Sequence, residues 1–120
     1  MAAPNLLNIN SIIGKTVGAN LTNVFGTVLS NPSSSSNLIR INSVVISNIQ
    51  GTNNADVSVS ILKNNSTDFF LGRTISVPAD TTLVLATKDM NLYLEENDTL
   101  RANASANNHL HLFASYEVIT

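Results

Sequence analysis

The sequence predicts an all-β domain, an antiparallel β-sandwich of about eight or nine short strands, with a jelly-roll-like topology as the first expectation on architecture. Three observations predict it. Apolar residues alternate with polar ones at period two, turn residues interrupt the runs at nearly every tenth position, and Asn, Ser and Thr rather than charged residues supply most of the polarity. The pattern is densest from Thr74 to Ser105, where Val77-Pro78-Ala79-Asp80, Lys88-Asp89 and Glu95-Glu96-Asn97-Asp98 close successive runs. Pro78 has a fixed φ and no N–H to give to a continuing ladder, so a strand ends there.

Taken in order, Leu7, Ile9 and Ile13 alternate with Asn8, Asn10 and Ile12, which predicts a first strand or a docking arm over residues 1–13, ahead of a single sandwich domain over 14–120. Gly14 and Gly18 are read as interruptions. Asn20 to Ser30 carries Leu21, Val24, Phe25, Val28 and Leu29 at a spacing that fits a helical turn or a bulged strand, and Gly26 favours the strand. Asn31-Pro32-Ser33-Ser34-Ser35-Ser36-Asn37 has the most flexible composition in the chain and reads as a surface loop.

Leu38 to Ile49 is the longest strand candidate, and no single register puts its apolar residues on one face. Ile39, Ile41, Val45 and Ile49 share one parity, whereas Leu38, Val44 and Ile46 share the other. Either a bulge near Asn42-Ser43 reconciles them or the strand is buried on both faces. Val57, Val59 and Ile61 alternate cleanly with Ser58 and Ser60. After a turn at Asn64-Asn65-Ser66-Thr67 come Phe69, Leu71, Ile75 and Val77 at even spacing, with Phe69 expected in the core. Leu83 and Leu85, Leu92 and Leu94, and Leu100, Ala102 and Ala104 mark three further strands. Ala106-Asn107-Asn108 turns into a last strand whose core set is Leu110, Leu112, Ala114, Tyr116 and Val118, and whose other face carries His109, His111, Phe113, Ser115 and Glu117.

A chain of 120 residues and 12.8 kDa accommodates one core. Its net charge is −2, and its six basic residues stand singly, so the basic stripe of a nucleic-acid binder is absent. With no Cys, neither a disulfide framework nor a thiolate metal site is available. The start has no basic n-region and no sustained apolar run, and no stretch approaches the length of a membrane helix, which leads us to expect folding in a cytoplasm and no membrane partner. Asn-x-Ser/Thr sequences begin at Asn20, Asn64, Asn65, Asn97 and Asn103, as so Asn-, Ser- and Thr-rich a chain produces by coincidence.

Catalytic chemistry is sparse. A nucleophile-base pair needs a histidine, and the two present, His109 and His111, lie two apart on one predicted strand and point the same way. Glu117 shares their face about 20 Å further along. No catalytic residue, cofactor or metal is therefore expected, and the chain is read as a non-enzyme. His109 and His111 supply at most half a tetrahedral metal site, unless symmetry copies complete one on a trimer axis. Glu95, Glu96 and Asp98 lack the alternating ligands and pivot Gly of a calcium loop and are read as a solvated turn. Phe69-Phe70 and Tyr93 offer stacking surfaces for a sugar or a base, with core packing the simpler role for Phe69.

Three segments taken together, IRINSVVISNIQGTNNADVSVSI, RTISVPADTTLVLATKD and LYLEENDTLRANASANNHLHLFASYEVI, resemble small structural proteins of tailed bacteriophages, especially those of marine cyanobacterial phages. The features that carry the resemblance are the strand ending in Ser47-Asn48 before Val57 to Ile61, the step Val77-Pro78-Ala79 into Leu83 and Leu85, and Tyr93 to Arg101 closed by Ser115-Tyr116-Glu117. The likeness covers roughly Leu38 to Thr120 and departs at Asn97, where glycine is usual and Asn tolerates the left-handed turn.

What the resemblance implies is a virion component without enzymatic activity, first of all a capsid decoration or cement protein. A tail, neck or fibre subunit, or a carbohydrate-binding adhesin module, are the alternatives. The implied partners are the major capsid protein or other virion proteins, and the implied location is the virion, after synthesis in the cytoplasm of an infected bacterial host. The large apolar Phe113 on the non-core parity predicts that the His109, His111, Phe113 face is a subunit contact in a homo-oligomer, with a trimer expected. Symmetry would crowd the histidines there and make assembly acid-sensitive.

Overall fold

In the computed structural model, which describes residues 5–120, nine strands form two antiparallel sheets packed as a sandwich. They are β1 (Ile12–Asn20), β2 (Gly26–Ser30), β3 (Leu38–Asn48), β4 (Ala55–Lys63), β5 (Thr67–Val77), β6 (Thr82–Ala86), β7 (Leu92–Leu94), β8 (Thr99–Ala104) and β9 (Leu110–Ile119). A single 3-10 turn, Lys88–Met90, joins β6 to β7.

Five of the pairings are nested: β1 with β9, β2 with β8, β3 with β7 and with β6, and β4 with β5. The chain is thus one long hairpin whose tip is the β4–β5 turn. Rolling that hairpin up brings β9 against β3 and β8 against β4, which gives the sheet orders β1-β9-β3-β6, with β7 collinear beside β3, and β2-β8-β4-β5. This is the double-sheet jelly roll that the sequence led us to expect.

The core lies between the sheets. Ile41, Val44, Ile46, Val57, Val59, Leu94, Leu100, Leu110, Leu112 and Ala114 are all buried, and Ala102 and Ala104 allow close approach of the two layers. In β3 the residues that join the core are Ile39 and Ile41 on one side of Asn42-Ser43 and Val44 and Ile46 on the other. The register against β9 shifts between Ile41 and Ser43, so a bulge reconciles these four residues, while Leu38, on the other parity, is buried beside Ile119 at the strand end.

Turn chemistry explains the Asn-rich composition. Among the described residues nine non-glycine residues have positive φ, five of them Asn (Asn64, Asn65, Asn91, Asn97 and Asn108), while no glycine does. Asn stands where the backbone must turn left-handed, including Asn97 at 73°, and the glycines serve other ends. Asn64 and Asn65, at 50° and 53°, build the β4–β5 hairpin turn.

Three expectations are corrected, and the surface-loop reading of Asn31 to Asn37 is refined. The first strand is not Leu7 to Ile13: it begins at Ile12 and runs through Gly14 and Gly18 to Asn20, because nine consecutive residues pair with β9 and the pairing overrides the glycines. Residues 1–4 of the expected arm lie outside the described residues, and Ser11 is tied to Thr120 by backbone bonds of 2.9 and 3.2 Å and a hydroxyl pair at 2.6 Å. Asn20 to Ser30 is not one bulged strand but the end of β1, a crossing between sheets with Leu21 buried, and β2, which does carry an irregularity between Thr27 and Leu29.

Phe69 is 61% exposed rather than core, since β5 is an edge strand whose ladder with β4 shifts register twice. The serine loop is anchored: Asn31 is 1% exposed, its Nδ2 donates to the carbonyls of Asn37 and Leu94 at 2.9 Å each, and its Oδ1 accepts from Ser35 Oγ at 2.6 Å. Asn48 repeats the device after β3, donating to Asn53 and Val77 carbonyls at 3.0 and 2.9 Å. A buried carboxamide with these bonds satisfied locks each loop onto the end of a neighbouring strand.

Candidate docking face and the opposite sheet

Because β9 is the second strand of its sheet, its outward residues sit in rows with those of β1, β3 and β6. The register aligns Gly18, Phe113, Val45 and Val84 across all four strands. Phe113 is 50% and Val84 56% exposed, so an apolar row runs across the outer face. The next row on one side is Asn20, His111, Ser47 and Thr82, and on the other Thr16, Ser115 and Ser43. Both flanks are polar. Phe113 also has a local role, since its ring lies over Gly18 with Cε1 3.5 Å from where a Cβ would be.

A shallow depression of about 240 Å³ opens beside the ring, lined by Gly18, Ala19, Asn20, His111, Leu112 and Phe113. His111 borders it and His109 does not. His109 precedes β9, its carbonyl accepts the Ile49 N–H at 2.9 Å, and its Nδ1 is buried without a hydrogen-bond partner. Among the described residues no three His, Asp or Glu side chains come together as a metal site.

At the far end of the same face Arg40 and Glu117 are cross-strand neighbours, with Nε 2.8 Å from Oε1 and Nη2 on the same oxygen. The hydrogen bonds from Arg40 hold the Glu117 carboxyl below its usual range, and those to Glu117 hold the guanidinium above its own. Glu117 is thus a structural partner rather than a base for either histidine. Tyr93 sits opposite Arg40 in this row rather than on an open platform.

The acidic turn is not a cation loop. Asp98 is buried and accepts from Lys63 Nζ at 2.6 Å, from the Asn64 N–H at 2.8 Å and from the Glu95 N–H at 3.0 Å. Hydrogen bonding to Asp98, and next to Glu95, raises the Lys63 ammonium above the ordinary lysine range. The turn is solvated only at Glu95 and beyond; Asp98 closes the end of the sandwich.

The opposite sheet turns a different surface outward. Thr27, Arg101, Ser60 and Phe70 form one row across β2, β8, β4 and β5. Phe70 meets Phe25 edge-on at 5.9 Å, Arg73 lies 5.2 Å over Phe70, and Arg101 lies 4.8 Å over Phe25 while bonding Asp68 at 3.0 Å. Single-strand parity does not reveal this cluster, because Phe25 arrives from the crossing before β2.

No protein-family model matches the chain, and no curated protein matches it. Among solved structures the chain is similar to a pentameric capsid protein isolated from metagenomic phage sequences, with 16% identity and a TM-score of 0.42. The match covers 95% of this chain and 62% of that one, so this chain spans less than two-thirds of its length.

Proposed function

We propose that this chain is a noncatalytic structural subunit of a tailed-phage particle, and more specifically a capsid decoration or cement protein. The observation that carries the reading is the exposed apolar row through Phe113, Val45 and Val84, a surface whose burial against another subunit is favourable at roughly 25 cal/mol per Å². The phage-like turn and core motifs and the jelly roll, an architecture used in viral capsids, support it by analogy. The face meets further copies of the chain in a homo-oligomer, with a trimer as the expected state, and the assembly seats on the major capsid protein or another virion protein. The chain then resides in the virion after synthesis in the host cytoplasm.

Antibody labelling of purified particles under the electron microscope tests this reading. Label over the head is expected; label confined to tail, neck or fibres moves the subunit there, and particles that lack the chain overturn the proposal. A carbohydrate-binding adhesin is the second reading, favoured by the aromatic and arginine cluster around Phe70.

A further inference from the structure

The outer face of the β2-β8-β4-β5 sheet holds a depression that the docking reading does not use. It measures about 130 Å³ and is lined by Asp56, Ser58, Thr74, Asn103, Ala104 and Ser105. The register sets Asn103 directly opposite Ser58, and a bond from the Thr74 N–H to Ser58 Oγ, 2.9 Å long, draws β5 in on the other side. On the rim the Asp56 N–H bonds Ser105 Oγ at 2.9 Å.

The site is built by a distortion of the sheet. The β4–β5 ladder shifts register between Val57 and Val59 and again between Val59 and Ser60. Within that stretch Thr74 has φ 55°, a left-handed conformation that a β-branched residue adopts only under constraint. Gly72 permits the arrangement, because a Cβ there would run into the Ile75 and Leu85 side chains.

The depression also presents polar side chains that are open to solvent. The Asp56 carboxylate, the Asn103 carboxamide and the Thr74 hydroxyl make no hydrogen bond to another group among the described residues. Asp68 and Asp98 differ: each accepts from a cation and from a hydroxyl or backbone N–H. One row along the strands, about 7 Å away, stands the Arg101, Ser60, Phe70 row with Arg73 over the ring.

We propose that this face binds a saccharide. A carboxylate that accepts two O–H groups and a carboxamide that both accepts and donates match the adjacent hydroxyls of a sugar ring. Phe70, half-exposed with Arg73 over its ring, supplies an apolar edge beside a neighbouring sugar ring. A hard cation fits less well, since it calls for several carboxylates and the depression has one. The site lies on the sheet opposite the docking face, so its failure leaves the virion reading standing, and it serves a decoration subunit and an adhesin alike.

The test is a glycan array with the purified chain, followed by amide chemical-shift titration with the free monosaccharide of the best glycan. Selective binding is expected, with shifts at Ser58, Thr74 and Asn103. Asp56→Ala and Asn103→Ala should each weaken it by at least about tenfold, the loss of one or two strong hydrogen bonds, while both variants keep the wild-type far-ultraviolet spectrum. Phe70→Ala should weaken it several-fold. No selective glycan, binding indifferent to Asp56→Ala and Asn103→Ala, or shifts at these amides with calcium chloride but with no sugar would overturn the proposal.

Discussion

The two outer faces of the sandwich arise from the same alternation of inward and outward residues, yet they differ in what the outward positions carry. On the β1-β9-β3-β6 sheet the central row is Gly18, Phe113, Val45 and Val84, and the Arg40–Glu117 pair, with Lys88 near it, stands at one end. On the β2-β8-β4-β5 sheet the corresponding rows hold Arg101, Ser60, Phe70, Asn103 and Ser58, and aromatic rings are capped by guanidinium groups. The first face has little to lose by drying. The second is costly to dehydrate unless a ligand replaces each hydrogen bond, because buried polar groups without partners are unfavourable. Both sheets contain register shifts, since β3 shifts against β9 and against β6, but two of their ladders differ sharply. The β1–β9 ladder runs nine residues without a shift, whereas the β4–β5 ladder breaks twice.

The largest effect that separates the faces is expected from Gly72→Val. Its branched side chain meets Ile75 and Leu85 inside the β5 distortion, and overpacking of this kind destabilises by about 2 kcal/mol. Chemical denaturation should show that loss, and amide shifts should move around Thr74 while those around Phe113 stay in place. Equal disturbance of both faces would mean that the distortion is not local to β5.

Phe113→Ser tests the other face. Sedimentation of the purified protein should shift from oligomer to monomer, with a monomer stability loss of about 1 kcal/mol from uncovering Gly18. Phe70→Ala should leave the oligomer unchanged. If both variants sediment like wild type, or if the wild type is itself a monomer, the apolar row is not a subunit contact.

A smaller effect is expected in acid. Glu117 has its folded value lowered by Arg40, so its contribution is complete above the ordinary glutamate value near 4.5 and disappears as pH falls through the lower folded value. Both side chains are about a quarter exposed, which limits the contribution to about 0.5–1 kcal/mol. Thermal melts at neutral pH and near pH 3 should therefore differ less for Glu117→Gln than for wild type. The smallest effect is at Gly18→Ala: the added Cβ makes an ordinary 3.5 Å contact with Phe113 and lowers the entropy of the unfolded chain, so stability should rise by about 0.5 kcal/mol. A loss at this position would show that the ring cannot share the space.

Phe113, the centre of the candidate docking face, is legible in the sequence. It stands on the non-core parity of a strand with clear alternation, and that parity survives in the fold. Its companions are not legible there, since Val45 and Val84 join it through pairings between residues far apart in the chain. The saccharide face is less legible still. Asp56, Ser58 and Asn103 are ordinary polar outward residues, and Thr74 joins them through a break in the ladder that no periodicity announces.

By itself the sequence determined an all-β sandwich of about eight or nine strands, the inward residues of most of them, a parity conflict around Asn42-Ser43 and the turn at Asn97. Each of these follows from local rules: period-two alternation, the steric limits of Pro and Asn, and a parity conflict within one strand. Only the tertiary structure decided which strands are neighbours, that β1 runs straight through Gly14 and Gly18, that Phe69 lies outside the core, and that Asn31 and Asn48 are buried anchors. Those outcomes depend on partners distant along the chain. Alternation says which way a side chain points, but the rolled-up hairpin decides what stands opposite it.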